Sequence, residues 1–205
     1  MNLIIILEII PFVSFTIFSG GLTKRQKTGF GKRTFAPFDE HLEGEFVNGR
    51  ANGAGKEWFG PKSRSPGQIY VGDFVEDMMH GNGTLTLESG QCYKGEFSKN
   101  EYHGRGEAIL PNGDTYEGDF VNGARTGKGI FKWADGDVYE GDFVNGERTG
   151  NGTFKWTNGN VYEGKFVNGR RTGKGTYEWA DGDVYKGDFV NDGEYTGKGI
   201  FKWAD

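Results

Sequence analysis

Along most of the chain apolar and polar residues alternate with a period of two, interrupted at regular places by glycine pairs and turn dipeptides. In the stretch from Tyr116 to Val138, YEGDFVNGARTGKGIFKWADGDV, Tyr116, Gly118 and Phe120 fall on one side of an extended strand and Glu117 and Asp119 on the other. Gly127, Gly129, Phe131 and Trp133 make a second series of the same period, with Ile130 and Lys132 pointing the opposite way. The stretch therefore predicts two strands and no helix. Asn122-Gly123 joins the strands and Asp135-Gly136 leads onward; both dipeptides suit turns that need positive φ. The glycine between the rings predicts a gap across which a side chain from the adjacent strand lies.

This pattern recurs every 23 residues. Tyr70, Tyr93, Tyr116, Tyr139, Tyr162 and Tyr185 share one column, with Gly two places and Phe four places after each. A fixed period of this kind marks units that cannot bury an apolar face alone and depend on their neighbours. With two strands per unit, each unit advances about 10 Å. The expected fold is all-β, an elongated single-layer antiparallel sheet of about seven tandem hairpins, on the order of 65 Å long. The array spans residues 42–205. Leu42, Gly44, Phe46, Gly53 and Gly55 form a divergent first copy, and its return turn, Gly60 to Gly67, is long enough to bulge as an exposed loop. Residues 70–115 carry Leu85, Leu87, Ala108 and Leu110 where later copies have aromatics. The last copy has an extra residue near Asp192-Gly193 and stops inside its unit at Asp205, so the array is expected to continue in a longer chain.

Two segments precede the array. Residues 23–41 read as a basic linker and a partial repeat, because Thr28-Gly29-Phe30-Gly31 matches Thr126-Gly127-Lys128-Gly129 with the spacing off by one. Residues 1–22 are hydrophobic, interrupted by Glu8 and Pro11, with Lys24, Arg25, Lys27, Lys32 and Arg33 behind them. As a signal-anchor, this segment leaves the repeats cytosolic at a membrane by the positive-inside rule. As a signal peptide cleaved after Gly21, it sends them to a lumenal or secreted location. A start with no targeting role is the third alternative.

Composition changes the picture little. The 37 glycines are accounted for by the repeat, and 15% aromatic beside 35% hydrophobic residues suits a thin sheet held by rings. A formal charge of -5 argues against nucleic acid as a partner. Enzyme signatures are poor. His80 and His103 lie one unit apart, about 10 Å, too far to share a zinc ion. Cys92 has no adjacent base, and the turn aspartates lack calcium-loop spacing. We expect no catalytic residue, metal or cofactor. Asn82-Gly83-Thr84 and Asn151-Gly152-Thr153 match glycosylation acceptors and are useful only as reporters of lumenal exposure.

Two surfaces are candidates for binding. A single layer leaves its ring face uncovered, so Trp133, Trp156, Trp179 and Trp203, with Phe131, Phe154, Tyr177 and Phe201, are the expected contacts for a protein segment. The turns on one long edge carry Arg125, Lys128, Arg148, Arg170, Arg171, Lys174 and Lys198, and those on the other Asp135, Asp137, Asp181 and Asp183. The basic edge would meet anionic headgroups or an acidic partner, weakly and with salt sensitivity. Glu117, Asp119 and Lys132 are expected to form a solvated face with cross-strand ion pairs.

Tyr-x-Gly-x-Phe, then Gly-x-Gly, then an Asn/Asp-Gly turn, at 23-residue intervals over residues 42–205, resembles the MORN (membrane occupation and recognition nexus) repeat. The resemblance implies a sheet of tandem hairpins used as a scaffold or adaptor for a protein or peptide partner. It also implies a place often near membranes or the cytoskeleton; an anionic phospholipid membrane, met through the basic edge, and a second copy in a homodimer are the further expected partners. In some relatives such arrays are attached to a phosphatidylinositol phosphate kinase or a SET-domain lysine methyltransferase, so the alternative is the regulatory array of a longer enzyme. No stretch outside the repeats is long enough to be either catalytic domain.

Overall fold

Hairpin follows hairpin as the two-residue alternation predicts. The structure, a computed structural model, describes residues 6–10, 14–20, 28–36, 38–63, 65–190 and 193–204. Among these are seventeen strands and no helix. The chain divides into two units, Met1–His103 and Gly104–Asp205.

The first unit holds β1 (Ile6–Ile10), β2 (Ser14–Gly20), β3 (Gly29–Ala36), β4 (Glu40–Val47), β5 (Arg50–Trp58), β6 (Ile69–Val75), β7 (Met78–Thr86), β8 (Cys92–Ser98) and the start of β9 (Glu101–Ile109). From β1 to β8 each strand pairs antiparallel with the next. The second unit takes β9 from Gly104 and continues with β10 (Thr115–Val121), β11 (Ala124–Lys132), β12 (Val138–Val144), β13 (Glu147–Lys155), β14 (Val161–Val167), β15 (Arg170–Glu178), β16 (Val184–Val190) and β17 (Glu194–Lys202). These too pair in chain order, all antiparallel.

The described part of the N-terminal apolar segment lies in β1 and β2, which pair with each other and, through β2, with β3. No helix among the described residues is long and apolar enough to cross a membrane. The expected cleavage point at Gly21 and the basic Lys24, Arg25 and Lys27 lie outside the described residues. The β2–β3 register is that of a full repeat. Gly20 faces Gly31 and Phe18 faces Arg33, as Gly118 faces Gly129 and Tyr116 faces Phe131. From Phe18 the spacing to Gly20 and to Thr28-Gly29-Phe30-Gly31 equals that from Tyr116 to Gly118 and to Thr126-Gly127-Lys128-Gly129. The single off-step falls later, between Phe35 and Leu42.

Within a unit the tyrosine is the centre. A Cβ on Gly129 would stand 2.5 Å from Tyr116 Cε2 and 2.7 Å from its Cζ, and one on Gly141 would stand 2.6 Å from Gly152 Cα. The ring therefore lies flat over a glycine pair, one on its own strand and one across. This corrects the expectation that the gap at Gly118 receives a side chain from the neighbouring strand: Tyr116, two residues earlier on the same strand, fills it. The hydroxyl of Tyr139 donates to Asp142 O at 3.1 Å and lies 3.4 Å from Thr149 O. Burial pushes the phenols of Tyr70, Tyr116, Tyr139 and Tyr162 up to about 12, and Tyr93 is raised as well.

The Gly-x-Gly pair has two separate reasons. Between facing pairs Gly118/Gly129 and Asp119/Thr126 the register shifts, leaving Gly127 and Lys128 as extra residues in a bulge. Gly127 sits there at φ 59, whereas Gly129 is required by the ring above it. In the hairpin turns Asn122 and Gly123 both take positive φ, 50 and 78, the geometry that matches strand twist. The other turn differs from expectation. Only Gly136 is left-handed, with Gly136 N donating to Trp133 O and Trp133 N to Asp137 O, so the Asp-Gly pair closes a three-residue loop.

Candidate binding surfaces

Rings of the second unit form two ladders on one face. The inner one runs Tyr116, Phe143, Tyr139, Phe166, Tyr162, Phe189, with edge-to-face contacts at centroid distances of 4.9 to 5.3 Å. Edge-to-face pairing suits the ring quadrupole, and these side chains are buried. The outer ladder runs Phe131, Trp133, Phe154, Trp156, Tyr177, Trp179, Phe201, Trp203, without a gap, at 4.4 to 5.7 Å. Its members differ in access. Phe131 and Phe154 are buried, Trp133, Trp156, Trp179 and Tyr177 are half-buried, and Phe201 and Trp203 are exposed. All eight expected contact residues thus lie on one row, with the indoles as its outer members.

Arginines close the space between the ladders. The guanidinium of Arg148 lies 5.2 Å from the Trp133 ring centroid, 5.3 Å from Phe154 and 5.5 Å from Tyr139; Arg125 and Arg171 occupy the same place one unit either side. Arg125 also donates to Gly146 O at 3.1 Å. The seven expected basic residues are therefore divided between faces. Arg125, Arg148 and Arg171 belong to the ring face, while Lys128 and Lys174 project from the other, pairing with Asp142 at 2.6 Å and Asp188 at 3.5 Å. Lys128 holds the Asp142 carboxyl below its ordinary value. Arg170 and Lys198 are exposed. The cause is strand alternation, which sends the neighbours Arg170 and Arg171 to opposite sides although both stand at one turn.

The acidic turns are latches. Asp137 Oδ1 accepts from Thr157 N at 2.9 Å, Asp183 Oδ1 from Ala204 N at 2.9 Å, and Asp114 and Asn160 serve Ala134 and Ala180 in the same way. Asp135 and Asp181 cap their own turns by accepting from Asp137 N and Asp183 N. A separation of 20 or 21 residues between acceptor and donor leaves no cue in the sequence.

In the first unit Arg33 stands in the ring layer, 7% exposed, 5.4 Å from the Phe46 centroid, paired with Asp77 at 2.7 Å and donating to Gly49 O at 3.0 Å. Beside this cluster burial pushes the Glu57 carboxyl up to about 7, against the pull of Arg33. Tyr93 and Tyr102 stack at 3.8 Å. Among the described residues no group of three His, Cys, Asp or Glu is placed to hold a metal ion.

Comparison with known proteins adds the following. A family model described as MORN repeat matches residues 43–64, 70–92, 93–115, 116–138, 139–161, 162–184 and 185–205. No curated protein sequence matches the chain. Solved structures similar in fold include the TCP domain of SAS-4 (dCPAP) of Drosophila melanogaster, solved in complex with a proline-rich motif of Ana2 (dSTIL). It is 10% identical, with a TM-score of 0.44 over 74% of this chain and 84% of that one. The wild-type TCP10 domain of Danio rerio CPAP is 12% identical, with a TM-score of 0.43 over 89% of this chain and 93% of that one.

Proposed function

The chain belongs to the MORN-repeat family, and from that premise we propose that it is a repeat scaffold which docks a polypeptide segment along its tryptophan row. The observation that supports this is the unequal burial of the outer ladder. Trp133 and Trp156, half-buried, project beyond Phe131 and Phe154, which are themselves covered. Two strands separate successive indoles, about 10 Å, so a segment offering apolar side chains at that interval meets one platform after another. Indoles supply large, stiff contact area at low entropic cost. Arg148, Phe154, Trp156, Phe166, Gly169 and Arg171 line a hollow of about 180 Å³ beside the row, room for one side chain to anchor.

The test is affinity capture with the whole chain against a Trp156→Ala, Trp179→Ala double variant whose circular dichroism remains that of a sheet. Partners retained by the natural protein and lost by the variant support the reading. An identical set on both discards it.

A further inference from the structure

The face opposite the rings is shaped by the glycines that the rings require. Gly129, Gly141, Gly152, Gly164 and their equivalents turn their missing Cβ toward tyrosine, so on the other side the sheet offers bare backbone between two rows of side chains. In the second unit this makes a trough of about 780 Å³ from Arg105 to Lys186, continued by one of about 520 Å³ that shares Thr176 and Lys186 and ends at Lys198 and Ile200. One wall is built from alternate strands. The second strand of each hairpin gives an uncharged residue, Ile130, Thr153, Thr176 or Ile200, and the first gives Glu117, Glu140, Glu163 or Lys186. From Glu140 onward each charge therefore has uncharged cross-strand neighbours, whereas Glu117 faces Ile130 on one side and Glu107 on the other. Glu140 faces Ile130 and Thr153, and Lys186 faces Thr176 and Ile200. Cross-strand pairing, expected for this face, joins Lys128 to Asp142 and Lys174 to Asp188 on the opposite wall, and among the described residues no ion pair joins this wall.

The sign of the wall changes once. Three carboxylates at intervals of about 10 Å are followed by Lys186, where Lys174 and Lys198 also line the hollow. We propose that this trough is a second docking surface, for a polypeptide segment with separated charges. Its basic side chains lie against Glu117, Glu140 and Glu163, and its acidic ones against Lys174, Lys186 and Lys198. The charge order of the wall argues for such a partner, since a uniformly charged one is repelled at one end. Concavity argues against a bilayer, which cannot enter, and the three carboxylates would repel anionic headgroups. Bare glycine backbone lets the segment approach closely.

The test uses the whole chain and two synthetic 24-residue peptides of equal composition, one with its lysines and glutamates in separate halves and one with them interleaved, titrated at low salt. The block peptide should bind about tenfold more tightly, the ratio worth two or three weak charge pairs, and lose that advantage as salt rises. A Lys186→Glu, Lys198→Glu variant should lose the block peptide and instead take an all-lysine peptide, a gain that misfolding cannot produce. The Trp156→Ala, Trp179→Ala variant should bind the block peptide unchanged, so this surface and the tryptophan row stand or fall separately. Equal affinity for the two peptides overturns the proposal. So does failure of the reversed variant to gain the basic peptide, or Lys186-dependent sedimentation with phosphatidylserine vesicles in place of peptide binding.

Discussion

Replacing Gly152 by alanine tests the tyrosine-over-glycine packing directly. The new Cβ would stand 2.5 Å from Tyr139 Cε2 and Oη and 2.6 Å from Cζ, so the ring must retreat by about an ångström to reach ordinary contact. It has nowhere to go. Tyr139 is fully buried, held between Phe143 at 5.3 Å and Phe166 at 4.9 Å, with its hydroxyl bound to Asp142 O. Overpacking of this kind costs about 1–3 kcal/mol, and pulling the hydroxyl from a buried carbonyl adds about 1 kcal/mol. Relief of glycine's backbone entropy returns about 0.5–1 kcal/mol. The net is a loss of about 1–3 kcal/mol, read as a lower urea midpoint in tryptophan fluorescence. The chain contains its own control. Leu42 stands in the tyrosine column, and at the equivalent Gly55 a Cβ would meet nothing closer than 3.1 Å, so Gly55→Ala should cost less than about 1 kcal/mol. In a Tyr139→Leu background Gly152→Ala should likewise become nearly neutral. An equal penalty with and without the tyrosine ring would refute the reasoning.

Three further outcomes follow from the same geometry. The buried phenols are raised above their unfolded value near 10 to about 12. Their contribution is therefore complete below pH 10 and lost as pH climbs through 12, so circular dichroism should show cooperative alkaline unfolding in that window. Glu57 is raised to about 7 from 4.5, so its contribution is present below pH 4.5 and lost as pH rises through 7. Glu57→Gln should stabilise the protein at pH 8 by at most about 3 kcal/mol, with the gain vanishing at pH 4 in urea titrations. Lys99 holds φ 52 at a turn position that Asn122, Asn145 and Asn168 occupy in later copies; Lys99→Asn should raise stability by about 0.5–1 kcal/mol in a thermal melt.

Strands, hairpin order and the ring face were legible because each depends only on a period of two and on turn residues of known preference. What lay hidden depends on where a side chain goes after leaving the backbone. Arg148 stands beside a turn and reads as an edge charge, yet its long stem carries the guanidinium back between Trp133 and Phe154. Asp137 reads as a solvated turn residue, yet it serves a backbone amide 20 residues on. The repeat register of β2 and β3 was masked because Phe18 and Arg33 stand in the columns of tyrosine and phenylalanine, and because apolar composition before Gly20 resembles a targeting segment more than a strand. The trough is hidden for a different reason: alternation distinguishes a ring side from a solvent side but carries no sign of the depth that two rows of side chains flanking a backbone floor give the latter.

That depth bears on how a partner could find one position on a periodic surface. Within the second unit packing holds the tyrosine and glycine columns constant, since Tyr139 and Tyr162 need the same glycines beneath them. A partner on the tryptophan row therefore meets equivalent platforms at Trp133, Trp156 and Trp179, and a slip of one unit costs it little. Columns facing the trough are under no such constraint. There the wall reads Glu117, Glu140, Glu163, Lys186, and the change of sign occurs once within the second unit. A segment displaced by one unit brings a like charge against Glu163 or Lys186, a penalty of about 1 kcal/mol or more in a partly desolvated trough. Affinity can thus reside in the repeated face, whereas register has to be set by the face whose residues differ from copy to copy.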